Sequence, residues 1–110
     1  MGNSELIKGS TSVIVLSLLA KKEMYGYEIT VKVRELSDGC LNYKEGTLYP
    51  ALKKLENLKL VESYWQESND GPKRKYYKLT DKGRLVLENQ RQEWIVFQHA
   101  MNQIVGFANV

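Results

Sequence analysis

Hydrophobic residues recur along the first part of the chain at the spacing of helices. A first helix is predicted from about Ser4 to Ala20, with apolar residues on more than one face, which is typical of a helix buried on several sides. A second is predicted from Tyr25 to Leu36, where apolar residues recur every three or four positions. The Ser37-Asp38-Gly39 sequence is a stop signal with glycine at a left-handed cap position, so the second helix should end there.

A third helix follows, and its start is ambiguous. Asn42 and Glu45 stand at the spacing of a capping box, and Leu48, Leu52, Leu55 and the stem of Lys59 would share one face. Pro50 lies inside this pattern, where it removes a backbone hydrogen bond. Either the helix bends at Pro50, or its regular part begins near Leu48.

The pattern then changes to that of strands. Val61 to Gln66 and Lys75 to Leu79 predict two strands, and the turn-forming run from Glu67 to Pro72 predicts that they form a β-hairpin. Thr80 is a predicted N-cap for a long helix that reaches about Val105, where Gly106 should end it.

Three helices, a hairpin and a long helix predict a mainly α (α+β) fold, a winged helix-turn-helix. We expect residues 1–80 to form a DNA-binding domain and residues 81–110 a C-terminal dimerisation helix, together one compact unit. A two-stranded hairpin is marginal by itself, so it should pack on the helices.

The outward face of the third helix suits a DNA major groove. Small Gly46 permits close approach, the hydroxyls of Thr47 and Tyr49 can reach bases, and lysines can neutralise phosphates. The face comprises Tyr43, Gly46, Pro50, Lys53, Lys54 and Asn57, flanked by Thr47 and Tyr49. The same pattern also fits an ordinary solvated helix, and the hairpin favours the DNA interpretation.

The hairpin tip carries three consecutive cations, Lys73, Arg74 and Lys75. A wing beside a recognition helix can reach the DNA backbone or the minor groove. Exposed lysines also protect the edge strands of sheets, and both roles can hold together. Because Tyr76 and Tyr77 are adjacent in a strand, one should pack on the core while the other faces outward.

The last helix contains a heptad pattern of apolar residues with one polar exception, Gln90. One set comprises Leu87, Trp94, Met101 and Ala108, and the interleaved set comprises Gln90, Phe97 and Ile104. A winged helix is too small to cover this stripe within one chain, so the pattern predicts pairing with a second copy. Trp94 would then be interface packing or, alternatively, a wall on which an aromatic effector stacks.

Composition narrows the class of protein. The 110 residues suit one domain, the net charge of +3 is mild, and the single cysteine, Cys40, fits a reducing compartment. No signal-peptide pattern is seen, and the longest apolar run, Val13 to Ala20, is far shorter than the roughly 20 residues of a membrane helix. We therefore expect a cytoplasmic protein without membrane contact.

Catalytic and metal-binding patterns are absent from the sequence. His99 is the only histidine, and Cys40 belongs to no CxxC motif. No phosphate-binding glycine loop is present. We expect no enzyme activity, metal or cofactor.

Three strings carry a resemblance to a known family. They are Tyr25-Gly26-Tyr27-Glu28-Ile29, the run from Glu45 through Leu52 to Leu55-Glu56, and Arg74 to Thr80 followed by Gly83. Together they resemble the PadR family of bacterial transcriptional repressors over nearly the whole chain. In that family the recognition helix also carries a proline at the place of Pro50.

The resemblance implies a homodimer that represses a promoter and releases DNA when a small aromatic or lipophilic molecule binds. The single C-terminal helix is similar to the smaller branch of the family, which includes repressors of multidrug exporters. In that branch a tryptophan in the place of Trp94 lies at a pore between subunits and sandwiches planar drugs. The resemblance implies that Trp94 binds the effector, and the predicted effector-binding residues are Trp94 with its neighbours Phe97, Met101 and Gln90.

The sequence therefore predicts two further sets of site residues, the DNA contacts and the dimer contacts. The expected partners are palindromic double-stranded DNA, a second copy of the chain and the effector. The predicted DNA contacts are Tyr25, Tyr43, Lys44, Gly46, Thr47, Tyr49, Pro50, Lys53, Lys54, Lys73, Arg74, Lys75 and Tyr77; the predicted dimer contacts are Leu87, Trp94, Phe97, Met101 and Ile104. The alternatives are a winged-helix module for protein association that does not bind DNA and, more remotely, a protein whose apolar dimer pore hosts catalysis.

Overall fold

The computed structural model describes residues 4–106, with side chains from residue 9 onward. Its elements follow in the order α1 (Ser4–Lys21), β1 (Met24–Tyr25), α2 (Gly26–Leu36), α3 (Glu45–Asn57), β2 (Val61–Ser68), β3 (Gly71–Leu79) and α4 (Asp81–Val105). This is the predicted winged helix-turn-helix, with β1 as an additional strand. Ala108 lies outside the described residues.

The three strands form one small antiparallel sheet in the order β1-β3-β2. Met24 pairs with Tyr77, so the segment before α2 is joined to the hairpin by strand pairing. Pairing between β2 and β3 is regular from Val61 to Gln66 and shifts before Ser68. The shift accommodates Pro72, which cannot donate a ladder hydrogen bond and is tolerated where pairing is irregular.

The core lies where α1, α2 and α3 meet the inner face of the sheet. Val15 and Leu16 of α1 are fully buried, as the wide apolar cover of the first helix predicted. From α3 the predicted inward residues Leu48, Leu52 and Leu55 are buried. The hairpin is therefore supported by packing on the helices.

Helix α3 begins at Glu45, which excludes the alternative in which its regular part begins near Leu48. Lys44 is the N-cap and its carbonyl accepts from the backbone N–H of Thr47 and Leu48, each at 2.9 Å. Pro50 lies inside the helix, where the hydrogen bond to the Gly46 carbonyl is necessarily missing.

Two details predicted for α3 are wrong. Asn42 does not cap the helix, because its side-chain amide donates to the Gly39 carbonyl at 3.0 Å. Lys59 does not share the inward face, because α3 ends at Asn57 and Lys59 follows with a positive φ of 67°.

Helix α4 starts and ends at the predicted residues. The Thr80 hydroxyl accepts from the Gly83 N–H at 2.9 Å and donates to the Lys59 carbonyl at 2.7 Å. A side chain at Gly83 would collide with the Leu60 carbonyl oxygen, so glycine permits the close packing of α4 on the segment that connects α3 to β2. Gly106 caps the other end in the left-handed conformation, with a φ of 91°.

No helix within residues 4–106 has the length and apolar character needed to cross a membrane.

Candidate nucleic-acid interface

Helices α2 and α3 form the helix-turn-helix. Residues from the first and second family-like motifs meet where these two helices contact each other. The ring of Tyr49 in α3 lies directly over Gly26, the first residue of α2. A methyl group at Gly26 would come within 2.9 Å of the ring carbon Cε1 of Tyr49, so Gly26 leaves space for that ring. The contact between Gly26 and Tyr49 thus fixes the position of α3 relative to the start of α2.

The outward face of α3 is exposed and cationic. Seven predicted contact residues lie on it or at its start: Lys44, Gly46, Thr47, Tyr49, Pro50, Lys53 and Lys54. Within the described part of the chain, none of these three lysines is in an ion pair. Nothing within 4 Å would meet a side chain at Gly46, so a DNA backbone or base edge could approach closely there.

The wing, which is the β2–β3 hairpin, holds its cations in different environments. The Lys73 ammonium lies 3.7 Å from the Glu67 carboxylate, and the Arg74 guanidinium lies 4.0 Å from that of Asp70. Both pairs are exposed, so they contribute little to stability and phosphates can replace the carboxylates. Lys75 instead lies beside aromatic rings, 5.9 Å from the centre of Trp65 and 5.8 Å from that of Tyr77.

A groove of about 430 Å³ separates the wing from the start of α2 and from α3. Its walls combine aromatic and cationic side chains, among them Tyr25, Tyr27, Tyr49, Trp65, Lys73, Arg74 and Lys75. Trp65 and Tyr27 are 64% and 63% exposed and were missed from the sequence. Trp65 could have been predicted as a site residue from the hairpin, because it pairs with Lys75 across the two strands and therefore lies on the same face of the sheet.

Two predicted DNA contacts are buried. Tyr43 precedes α3, and burial raises the pKa of its hydroxyl, opposed by the nearby Thr11 side chain. Tyr77 is the inward member of the Tyr76–Tyr77 pair and is also buried, with a pKa raised by burial. Both side chains belong to the core, and Tyr77 also adjoins the groove beneath the Lys75 ammonium.

The heptad residues of α4 divide into two groups. Leu87 is buried in the core of its own chain, so its prediction as a dimer contact is wrong. Gln90 is half-buried, and its amide donates to the Ser12 hydroxyl of α1 at 3.2 Å. Beyond it lies a surface that we call the distal stripe, comprising Trp94, Phe97, Met101 and Ile104.

The distal stripe carries a small apolar hollow of about 390 Å³, lined by Trp94, Phe97, Gln98 and Met101. The rings of Trp94 and Phe97 meet edge to face, with centroids 5.7 Å apart. Three predicted effector residues thus adjoin one hollow, and Gln90 is not among its lining residues.

Among the described side chains, no group of three His, Cys, Asp or Glu residues could hold a metal ion. His99 lies exposed on α4, and Cys40 is an exposed free thiol.

Comparison with known proteins identifies the family. The Transcriptional regulator PadR-like family matches residues 15–89. An uncharacterised protein of Lysinibacillus sphaericus is 36% identical over 94 residues, which is 86% of each chain.

Solved structures agree with this assignment. A transcriptional regulator of Clostridium thermocellum has a TM-score of 0.85 at 34% identity, covering 93% of this chain and 99% of its own. A PadR family transcription regulator of Clostridium difficile R20291 has a TM-score of 0.78 at 41% identity, covering 87% of this chain and 98% of its own. The chain belongs to the PadR-like family of transcriptional regulators, which are DNA-binding proteins of the repressor class and not a class of enzymes.

Proposed function

We propose that the chain is a homodimeric, sequence-specific transcriptional repressor that binds a palindromic operator and is released by a small aromatic or lipophilic effector at the dimer interface. The observation that carries this proposal is the distal stripe, an apolar surface on the same chain as a DNA-binding face. DNA binding by the family supplies the first part of the function. The distal stripe supports the other two parts, which are dimerisation and release by an effector.

Dimerisation is supported by the exposure of large apolar residues beyond Gln90. Phe97 is 53% and Ile104 is 81% exposed. Ile95 and Val96 are also exposed, but they lie off the stripe, on the side of the helix that carries His99. Contiguous apolar surface of this kind marks interaction sites in soluble proteins, and a second copy offers the same surface in return.

Effector binding is supported by the hollow at Trp94. Its lining is almost wholly apolar and offers aromatic ring faces together with an adaptable methionine, which suits planar aromatic molecules. The hollow is open on one side, so a second copy of α4 laid against it would enclose a ligand between two such surfaces.

DNA recognition is assigned to the exposed face of α3 and to the wing. Lys44, Lys53 and Lys54 would contact phosphates, and Thr47 and Tyr49 would face base edges from the exposed side of the helix. Tyr25 and Pro50 would lie at the margins of this contact, and Lys73, Arg74 and Lys75 would reach the neighbouring backbone or minor groove. A twofold dimer presents two such surfaces, which explains the expectation of a palindromic operator.

Release follows if the effector binds more tightly to a dimer whose two α3 helices do not match the half-site spacing. A ligand shifts such an equilibrium only through its difference in affinity between the two geometries. The effector therefore has to stabilise the geometry that does not fit DNA.

The test is a mobility shift with a labelled duplex from the region upstream of the chain's own gene, in the presence of excess competitor DNA. The same reactions are repeated with a panel of planar aromatic compounds, and the mass of the free protein is measured by light scattering. A specific shift of a dimer that one compound abolishes supports the whole proposal.

The other outcomes test the effector response, dimerisation and sequence-specific DNA binding separately. A specific shift that no compound of the panel releases contradicts the effector assignment and leaves the repressor. A monomer at micromolar concentration contradicts the dimer, and the absence of any shift beyond competitor DNA contradicts sequence-specific binding. The double variant Lys53→Gln/Lys54→Gln is the matched negative control for DNA binding. It removes two exposed charges from the DNA-facing side of α3 and leaves the core unchanged.

A further inference from the structure

Three tyrosines form a continuous row across the outer face of the sheet, one from each strand. Tyr64 of β2 stacks on Tyr76 of β3 with ring centroids 5.8 Å apart and planes inclined by 17°. Tyr76 contacts Tyr25 of β1 with centroids 5.3 Å apart and planes inclined by 59°. The Tyr64 hydroxyl donates to the Glu23 carboxylate, and this bond raises the pKa of Tyr64 to about 12.

Arg74 stands at the end of this row. Its guanidinium carbon lies 4.6 Å from the centre of the Tyr25 ring, which is within the range of a cation–π contact. Arg74 and Tyr76 are two residues apart on β3 and therefore lie on the same face of the sheet. The Tyr25 ring is thus bounded by Tyr76 and by the guanidinium.

This contact distinguishes Arg74 from Lys73, which forms an exposed ion pair with Glu67. Lys75 also lies beside aromatic rings, but on the other face of the hairpin, with Trp65 and Tyr77. The planar guanidinium of Arg74 instead lies against a ring that is half-buried and itself packed on Tyr76. Arginine stacks on aromatic rings and keeps its in-plane N–H groups available for a phosphate, whereas lysine offers only a point charge.

We propose that Tyr25 is a positioning residue for DNA binding: it holds the Arg74 guanidinium ready for a phosphate of the DNA backbone and does not itself contact DNA through its hydroxyl. The proposal rests on the DNA-binding role of the wing. It changes the role of Tyr25 from a contact residue to one that acts through Arg74.

The position of Tyr25 in the chain gives this contact a second consequence. Tyr25 is the N-cap of α2, and the next residue, Gly26, lies under Tyr49 of α3. Two adjacent residues therefore meet the two DNA-facing elements, with Tyr25 against the wing and Gly26 against the recognition helix. Tyr25 and Gly26 therefore couple the position of Arg74 in the wing to the position of α3.

The test measures the affinity of the full chain for a fluorescein-labelled mixed-sequence duplex of about 30 base pairs over a range of salt concentrations. Arg74→Gln is expected to lower the salt slope by about one per protomer, because one phosphate contact is lost. Tyr25→Leu is expected to lower the slope and to weaken binding by roughly fivefold, as loss of a cation–π contact does. Tyr25→Phe keeps the ring and is expected to restore the wild-type slope.

The double variant Tyr25→Leu/Arg74→Gln provides the decisive comparison, since residues acting through one contact are not additive. We expect it to bind as Arg74→Gln does. Circular dichroism and thermal unfolding establish that each variant is folded. If Tyr25→Leu does not fold, Arg74→Lys takes its place, because it keeps the charge but loses the planar stacking group, and it should bind more weakly than wild type.

Several outcomes would overturn the proposal. They are an unchanged slope in Arg74→Gln, a loss in Tyr25→Phe equal to that in Tyr25→Leu, an additive double variant, or wild-type binding by Arg74→Lys when Tyr25→Leu does not fold. A wild-type chain that binds no duplex at any salt concentration would instead contradict the DNA-binding role itself. The two failures are therefore distinguishable.

Discussion

The two halves of α4 share one heptad pattern but have different surroundings. From Asp81 to Gln90 the helix packs on its own chain, with Gly83 against the segment between α3 and β2, Leu87 in the core and Gln90 hydrogen-bonded to Ser12. From Arg91 to Ala100 every residue is exposed, including Trp94 and Phe97. Gln90 marks the boundary.

A heptad pattern identifies an apolar face of a helix but does not say which chain covers that face. Leu87 and Trp94 occupy equivalent heptad positions. The first is covered by the chain's own helices, whereas the second lies beyond their reach. Substitutions on either side of Gln90 should therefore have different effects on stability and on assembly.

The largest effect is expected from a charge on the distal stripe. In Phe97→Lys each of the two protomers would bury an ammonium group in the proposed interface, at a cost of about 4 kcal/mol per buried charge, so the dimer dissociation constant should rise by at least about a thousandfold. His99→Lys places the same charge on the opposite side of the helix and is the control. Analytical ultracentrifugation measures both, and a Phe97→Lys chain that stays as dimeric as His99→Lys would contradict the assignment of the stripe.

The next largest effect is expected in the first half of α4. Leu87→Ala opens a cavity in the core and should lower the free energy of unfolding by about 3 kcal/mol. Leu85→Ala lies nearby on the same helix at 72% exposure and should change it by less than about 0.5 kcal/mol. Chemical denaturation of both variants in the Phe97→Lys background removes the contribution of assembly, and equal losses would show that Leu87 is not a core residue.

A smaller effect is expected at the boundary. Gln90→Ala removes the hydrogen bond to Ser12 and should cost about 1 kcal/mol of folding free energy. Ser12→Ala should cost a similar amount, and the double variant should not add the two losses. Additive losses in a double-mutant cycle would mean that the two side chains do not depend on each other.

The smallest effect is expected from the hollow at Trp94. The chain has two tryptophans, so in Trp65→Phe the fluorescence reports Trp94 alone. Planar aromatic compounds that release DNA should quench this signal, and Trp94→Leu should weaken their binding by roughly fivefold through loss of ring contact. A releasing compound that leaves Trp94 fluorescence unchanged would place the effector elsewhere.

Much of the fold could be predicted because its elements are long and periodic. The leucines of α3 follow a helical spacing, and Thr80 and Gly106 are chemically suited to the two ends of α4. Strand β1 was missed because two residues, Met24 and Tyr25, carry no period. It exists only because Met24 and Tyr25 pair with Tyr77 and Tyr76.

The site was harder to predict because the errors depend on tertiary packing. Tyr43 was given an outward position by extending the helical wheel of α3 beyond the residue where the helix begins. Strand alternation predicted that one of Tyr76 and Tyr77 faces inward, but only the pairing of Met24 with Tyr77 shows which. Trp65 and Tyr27 were missed because their groove is formed by segments distant in sequence.

The seat of Thr80 and Gly83 makes α4 a rigid lever. One hydroxyl joins the Lys59 carbonyl to the first turn of α4, and the Leu60 carbonyl touches Gly83, so α4 cannot pivot at its base without breaking these contacts. The 25 residues of the helix span about 37 Å. A tilt of only about 5° applied over that length corresponds to a displacement of about 3 Å. If α4 moves as one body, a small displacement at the distal stripe would therefore reach the recognition helix as a rotation of the whole domain.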